Sequence, residues 1–438
     1  MRFKKNFMQQ EYRSLGFISI IPLLVFVFTF LGFGIYNNDF YALPSPVAAL
    51  FGIVAAFIIF KGNIHQKADT FLKGCGDGKI LTMCIIYLLA GAFATVSEAV
   101  GSVDSIVNLG MTYISPQYFP AGVFVMASFL SFASGTSVGS IVTLAPIVIE
   151  LATKSGSPLS MIGAALLCGA MFGDNLSIIS DTTIAATQSL EVQMKDKFRT
   201  NFKIAVPSAM IATVIFISIG LNTATTASLS AAGDFNLWLI LPYLLVIGLA
   251  LYGVNVFVTL FAGLLLAGIL GFFTGAIDFM GFTKKTYEGF TGMSEIFFLS
   301  LLTGGLAALV ERAGGIQFLL NKISKLISSK KTALLGIGGL VSAANLCTAN
   351  NSIAILISGK VAKEINDKYS LDAKSSASVL DIFACYVQGL IPYGAQVLIL
   401  ISLSKFKINY LELIANAYYL HILLIITIGF ILFKKSNK

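Results

Sequence analysis

Between Gly173 and Thr183 the chain reads GDNLSIISDTT, eleven residues that hold two carboxylates (Asp174, Asp181), one amide (Asn175), two serines (Ser177, Ser180) and two threonines (Thr182, Thr183). These are hard oxygen donors, the ligands that a small hard cation such as Na⁺ takes. A carboxylate among them can hold a proton or share in binding a cation, so a single site could exchange the two, with Na⁺ at Asp174 and Asp181. The plainer reading is that either aspartate caps the N-terminus of a half-helix. A second group of polar residues falls in SFASGTSVGS, which supplies Ser134, Thr136 and Ser137, and a third in CTANNS, which supplies Thr348, Asn350 and Asn351. Gln388 precedes the turn LIPYG. The six hairpin residues are either ligands or part of small-residue packing and hairpin turns. Glu98, Glu311 and Asp381 are candidates for coupling. Ionisable groups inside a membrane span cost about 2.5–3.5 kcal/mol on insertion scales and need a reason. Glu98 and Glu311 also read as helix-end residues near the surface, and Asp381 as lining a cytoplasmic entrance.

The elements that carry these residues are apolar. The 438 residues are 56% hydrophobic and 11% charged, with 36 Phe and one Trp. Soluble proteins carry about 25% charged residues, so this composition describes an all-α polytopic membrane protein. It excludes a disulfide scaffold, a nucleic-acid reader and a disordered hub. The five cysteines form no C-x-x-C pair. GCGDGKI lacks the spacing and the Ser/Thr of a phosphate-binding loop, and GTSVG has no strand-to-helix context and no histidine to serve it. No constellation for an enzyme is visible, and no cofactor is expected beyond transported ions.

Apolar segments fall at 15–34, 43–60, 80–100, 119–153, 158–188, 203–220, 237–254, 256–277, 293–313, 333–362, 375–403 and 410–433. Four are too long and too interrupted for simple spans, each of which needs about 20 residues. The stretches 119–153 and 333–362 are expected to enter and return as re-entrant hairpins. Those at 158–188 and 375–403 are expected to cross as broken helices meeting at the midplane. That gives ten crossings plus two hairpins, with both termini cytoplasmic. It places 24 Lys and Arg inside and leaves only Lys154, Lys284, Lys285, Lys405 and Lys407 outside, a strong positive-inside bias. No Lys or Arg lies in a mid-span break, and segment 189–203 counts as a cytoplasmic loop.

LLAGAFATVSEAVGSVDSIVN (88–108) aligns with LLTGGLAALVERAGGIQFLLN (301–321) at an offset of 213, with seven of 21 positions identical. At 212 the hairpin breaks pair Thr136 with Thr348 and Ser140 with Ser352. The chain thus divides into repeats 1–220 and 221–438. An odd number of crossings in each makes the second inverted, an architecture of secondary transporters.

FGDNLSIISDTT, with SGTSVGS before it and CTANNSIAI and LDIFACYVQGLIPYGAQ in the second half, resembles the NhaC family of Na⁺/H⁺ antiporters. The resemblance spans about residues 60–430. It implies a multi-pass transporter of the bacterial inner membrane, in which a domain of hairpins and broken helices moves against a scaffold in an elevator-type cycle. It also carries the binding role onto Asp174, Asn175, Ser177, Ser180, Asp181, Thr182 and Thr183, and onto Thr348, Asn350, Asn351, Gln388, Pro392, Tyr393 and Gly394. The expected partners are the lipid bilayer, Na⁺ and H⁺, with a homodimer as a candidate assembly and no nucleic acid. Relatives include carriers of organic acids and amino acids, so Na⁺-coupled transport of such a solute is the alternative to Na⁺/H⁺ exchange.

Overall fold

The computed structural model describes residues 15–37, 43–223 and 234–433. The basic segments 1–14 and 434–438, whose charges bear on the expected orientation of the termini, lie outside the described residues. Among the described residues the chain is helical, with no strand. Eight helical stretches are long and apolar enough to cross a membrane, and three shorter apolar helices at 45–59, 237–251 and 418–433 accompany them. Large apolar side chains stand exposed along these helices, such as Phe28, Ile58, Val214, Phe273 and Ile425. An apolar exterior of this kind is what a bilayer solvates and water does not.

The helices form two compact units. The first comprises residues up to Leu81 together with Phe298–Leu326. Within it the 64–75 helix runs against the 294–312 helix through Gly74, where an added Cβ would sit 2.5 Å from the Gly304 carbonyl. Arg312 donates to the Gln66 carbonyl at 2.6 Å and to the Thr70 hydroxyl. The second unit comprises Thr82–Phe297 with Ile327–Lys438 and carries the interrupted helices described next.

The two interrupted regions of the first half resolve into helices that meet at sharp breaks. α1 (Phe119–Ser134) ends on Gly135 with φ +71°, and Thr136 then caps α2 (Ser137–Ser155), its hydroxyl accepting from Gly139 N at 3.3 Å. The left-handed residue reverses the chain at little cost only because it is glycine. α3 (Leu159–Leu176) gives way to an extended stretch, Ser180 caps α4 (Asp181–Leu190), and α5 (Met194–Thr223) follows. At 1.5 Å per residue the 30-residue α5 is about 45 Å long. It begins nine residues before the apolar segment that signalled it. In the second half, α6 (Lys330–Thr348) turns through Ala349 in the left-handed region into α7 (Asn351–Lys368), capped by Asn350. α8 (Ala373–Leu390) stops at Ile391, because the residue before Pro392 is pushed out of the helical region, and α9 (Ala395–Leu403) resumes after Gly394.

These elements repeat at a displacement of 214: α3 at 159–176 becomes α8 at 373–390, and the capping residue 136 becomes 350. The structure therefore corrects the hairpin register from 212 to 214, making Asn350, not Thr348, the counterpart of Thr136. Short amphipathic helices also recur, 64–75 with 279–292 and 102–113 with 315–324. Periodicity of apolar runs passed over them because each is half polar.

Candidate functional site

The α1–α2 turn lies directly on the α3–α4 break. Gly169 and Gly173 let α3 approach α1 so closely that an added Cβ would lie 2.3 Å from the carbonyls of Phe124 and Ser128. At that separation Ser131 Oγ donates to the Ala170 carbonyl at 2.6 Å, and Ser177 Oγ reaches the Phe132 carbonyl at 2.8 Å. Ser177 thus ties the break to the turn.

Asp174, 5% exposed, points at the first turn of α2. Its Oδ2 accepts from Ser137 Oγ at 2.6 Å and from Ser137 N at 3.4 Å, and the Ser180 hydroxyl faces the same carboxylate. The free N–H groups and positive dipole end of a helix favour an anion there. Among the described residues no Lys, Arg or His lies within 4 Å of Asp174. The polar chain continues into the second half. Gln396 Nε2 donates to Ser137 Oγ at 3.0 Å, and Gln388 Nε2 donates to Gln396 Oε1 at 2.9 Å and to the Ala349 carbonyl at 3.2 Å. The Gln388 Oε1 atom is buried without a donor among the described residues.

A second cluster occupies the other side of the α3 end. Lys197 and Asp381 are 1% and 0% exposed and form an ion pair at 2.7 Å. Lys197 Nζ also donates to the Asn175 carbonyl at 3.0 Å and to Thr183 Oγ1 at 2.7 Å. Asp381 Oδ2 further accepts from Asn175 Nδ2 and Asn201 Nδ2, each at 3.0 Å. Two expectations are corrected here. Segment 189–203 is not a loop of solvated charges, because α5 carries Lys197 into the interior. Asp381 does not line an entrance; it is fully buried and neutralised by that lysine.

The sequence-derived set thus separates into groups. Asp174, Ser137 and Ser180 converge, whereas Asn175 and Thr183 belong to the Lys197–Asp381 cluster. Thr182 Oγ1 pairs with Ser180 Oγ at 2.8 Å. Asp181 is exposed in the first turn of α4, where Ser180 is the capping residue. Ser134 Oγ is buried without a partner, and Thr136 and Asn350 serve as caps. Thr348 Oγ1 bonds backbone carbonyls, Asn351 Oδ1 accepts from Ser352 N, and the Tyr393 hydroxyl donates to the Leu346 carbonyl at 2.9 Å. Glu98 is exposed, 4.0 Å from Lys405, and Glu311 is exposed as well. Lys197, Asn201 and Gln396 escaped the sequence reading. Lys197 and Asn201 could have been found by extending α5 backwards: 197, 201, 204, 205, 208 and 212 form one buried stripe at helical spacing.

Comparison with known proteins agrees with this architecture. The family model described as the Na⁺/H⁺ antiporter family matches residues 11–221 and 223–435. The malate-2H⁺/Na⁺-lactate antiporter of Bacillus subtilis is 23% identical over 407 residues, covering 86% of each chain. The Na⁺/H⁺ antiporter NhaC of the same organism is 25% identical over 360 residues, covering 74% of this chain and 79% of that one. The arginine/ornithine antiporter ArcD of Halobacterium salinarum is 24% identical over 423 residues, covering 86% and 84%. With a family match running through both halves, with apolar helices of spanning length, and with a buried polar site built where two helices break, this chain belongs to the Na⁺/H⁺ antiporter family of multi-pass membrane transporters.

Proposed function

We propose that the protein exchanges Na⁺ for H⁺ by alternating access, with Asp174 as the carboxylate the two ions share. One observation carries this reading: Asp174 is buried against neutral hydroxyls with no basic partner among the described residues. An ionised carboxylate in such a place is expensive unless something neutralises it, and a proton or a bound cation would do so in turn. Asp381 is equally buried but has Lys197, so it has no need of either. Ser137 and Ser180 supply further oxygen ligands beside Asp174. The α1–α2 and α3–α4 elements, with their second-half counterparts in inverted orientation, form the part that moves in an elevator-type cycle across the bacterial inner membrane, with both termini cytoplasmic.

A second reading is favoured by the amide chain. Gln388 and Gln396 extend the site away from Asp174, and Gln388 Oε1 lacks a donor among the described residues, so the amine of a small organic solute would find an acceptor there. Relatives named for malate, lactate, arginine and ornithine support this reading. The test is Na⁺-triggered proton movement, read by a pH dye in proteoliposomes. Robust movement with no organic solute present supports Na⁺/H⁺ exchange. Silence until malate, lactate or arginine is added overturns it in favour of Na⁺-coupled solute transport.

A further inference from the structure

The ammonium of Lys197 sits in a cradle that is chemically a cation site. Its three donors meet a carboxylate oxygen of Asp381 at 2.7 Å, the Asn175 carbonyl at 3.0 Å and the Thr183 hydroxyl at 2.7 Å. Carboxylate, carbonyl and hydroxyl are the oxygens that an alkali cation takes. The carbonyl is available because Asn175 is in the last turn of α3, where the helix no longer supplies a donor. Thr183 comes from beyond the break, so the cation joins the two half-helices to α8. A further oxygen, Asn201 Oδ1, is buried beside the pair without a donor among the described residues; the Asn201 amide nitrogen is already committed to Asp381 and to the Asn175 carbonyl.

A broken helix of this fold does not require such a cradle. At the displacement of 214, Asp381 corresponds to Leu167, Lys197 to Leu411, Asn175 to Gly389 and Thr183 to Val397. The second break closes with none of these groups. The cradle at the first break, completed by Asp381 of α8, therefore has no counterpart at the second.

We propose that the oxygens of Asp381, Asn175 and Thr183 form a second monovalent-cation site, which the chain fills permanently with the ammonium of Lys197. The tethered charge cannot leave, so this position is taken out of ion exchange. Removing the lysine opens it to a free alkali ion. The inference stands apart from the role given to Asp174, and its test is made in an Asp174→Asn background so that Asp174 does not contribute.

Purified full-length protein is melted in detergent in NaCl and in choline chloride at equal ionic strength. Between about 1 and about 300 mM Na⁺, Lys197→Ala should gain a rise in melting temperature of about 5 °C that its parent lacks, because a ligand that binds only the folded state stabilises it by mass action. Adding Asp381→Asn should abolish that rise by removing the charge that draws the ion. A Lys197→Ala protein as indifferent to Na⁺ as its parent overturns the proposal, as does a rise that survives Asp381→Asn. Cells supplied with high Na⁺ give a second readout. If Lys197→Ala fails to accumulate in their membranes while Lys197→Ala/Asp381→Asn accumulates, no free ion can replace the ammonium and the proposal fails.

Discussion

The break between α3 and α4 and the break between α8 and α9 share a backbone and differ in chemistry. In the first, Ser131 bonds the Ala170 carbonyl; in the second, Asn345, 214 positions on, bonds the carbonyl of Ala384, the counterpart of Ala170. Ser177 holds the Phe132 carbonyl, and Tyr393 holds the equivalent carbonyl of Leu346. Close approach is kept by exchanging small for large. Gly169 of α3 fits against Phe124 of α1, whereas Gly338 of α6 fits against Phe383 of α8. The groups that could bind an ion do not repeat. Asp174 becomes Gln388, Ser137 becomes Asn351 and Thr182 becomes Gln396. The repeat preserves the means of breaking a helix and turning a hairpin beside it, while the buried carboxylates sit at non-equivalent places, Asp174 at the end of α3 and Asp381 within α8.

The comparison can be broken most directly at position 174 and its mate. Asp174→Asn should lower exchange in proteoliposomes at least about 100-fold, because the proposed role has this carboxylate take up and release both ions and an amide cannot; losing a hydrogen bond to a charged group is by itself worth about 1.5–3 kcal/mol. Gln388→Ala should cost about tenfold or less in the same assay, since it removes a neutral amide that contacts the site only through Gln396. Equal losses would refute the asymmetry.

The packing exchange gives the next largest effect. A Cβ at Gly169 would meet the Phe124 carbonyl at 2.3 Å, which is backbone, whereas one at Gly338 would meet the Phe383 ring at 2.9 Å, a side chain able to turn. Gly169→Ala should therefore destabilise by about 1–3 kcal/mol and Gly338→Ala by clearly less, both read as melting temperature in detergent. The caps should show the smallest effect and should be alike in the two halves. Thr136→Ala and Asn350→Ala each remove one bond at a helix start and should cost about 1 kcal/mol.

Much of the fold was legible because a bilayer demands it. Every spanning helix has to be an apolar run, and Gly135 with Pro392 marks where two of the runs stop. The α3–α4 break was legible for the same reason, since so many polar side chains in an apolar run mark a place where a helix is interrupted; the interruption itself is confined to residues 177–180. What stayed hidden depends on contacts between distant residues. Ser137 and Asp174 are 37 positions apart, and nothing in either local sequence says that one faces the other. Asp181 satisfied every local criterion for a ligand, yet one helical turn carried it to the surface. Lys197 was hidden among Lys195, Asp196 and Arg199, a run whose composition looks solvated. Only the start of α5 decides which of those charges turns inward. The hairpin register, 214 where identities gave 212, was lost because capping is done by Thr in one half and Asn in the other.

The most direct test of the central claim, that one buried carboxylate held only by neutral donors serves both ions, is proton release on Na⁺ addition to purified protein in weakly buffered detergent solution. Wild type and Gln388→Ala should acidify the solution when Na⁺ replaces choline, and Asp174→Asn should not. Undiminished release from Asp174→Asn would place the exchanging group elsewhere and contradict the account.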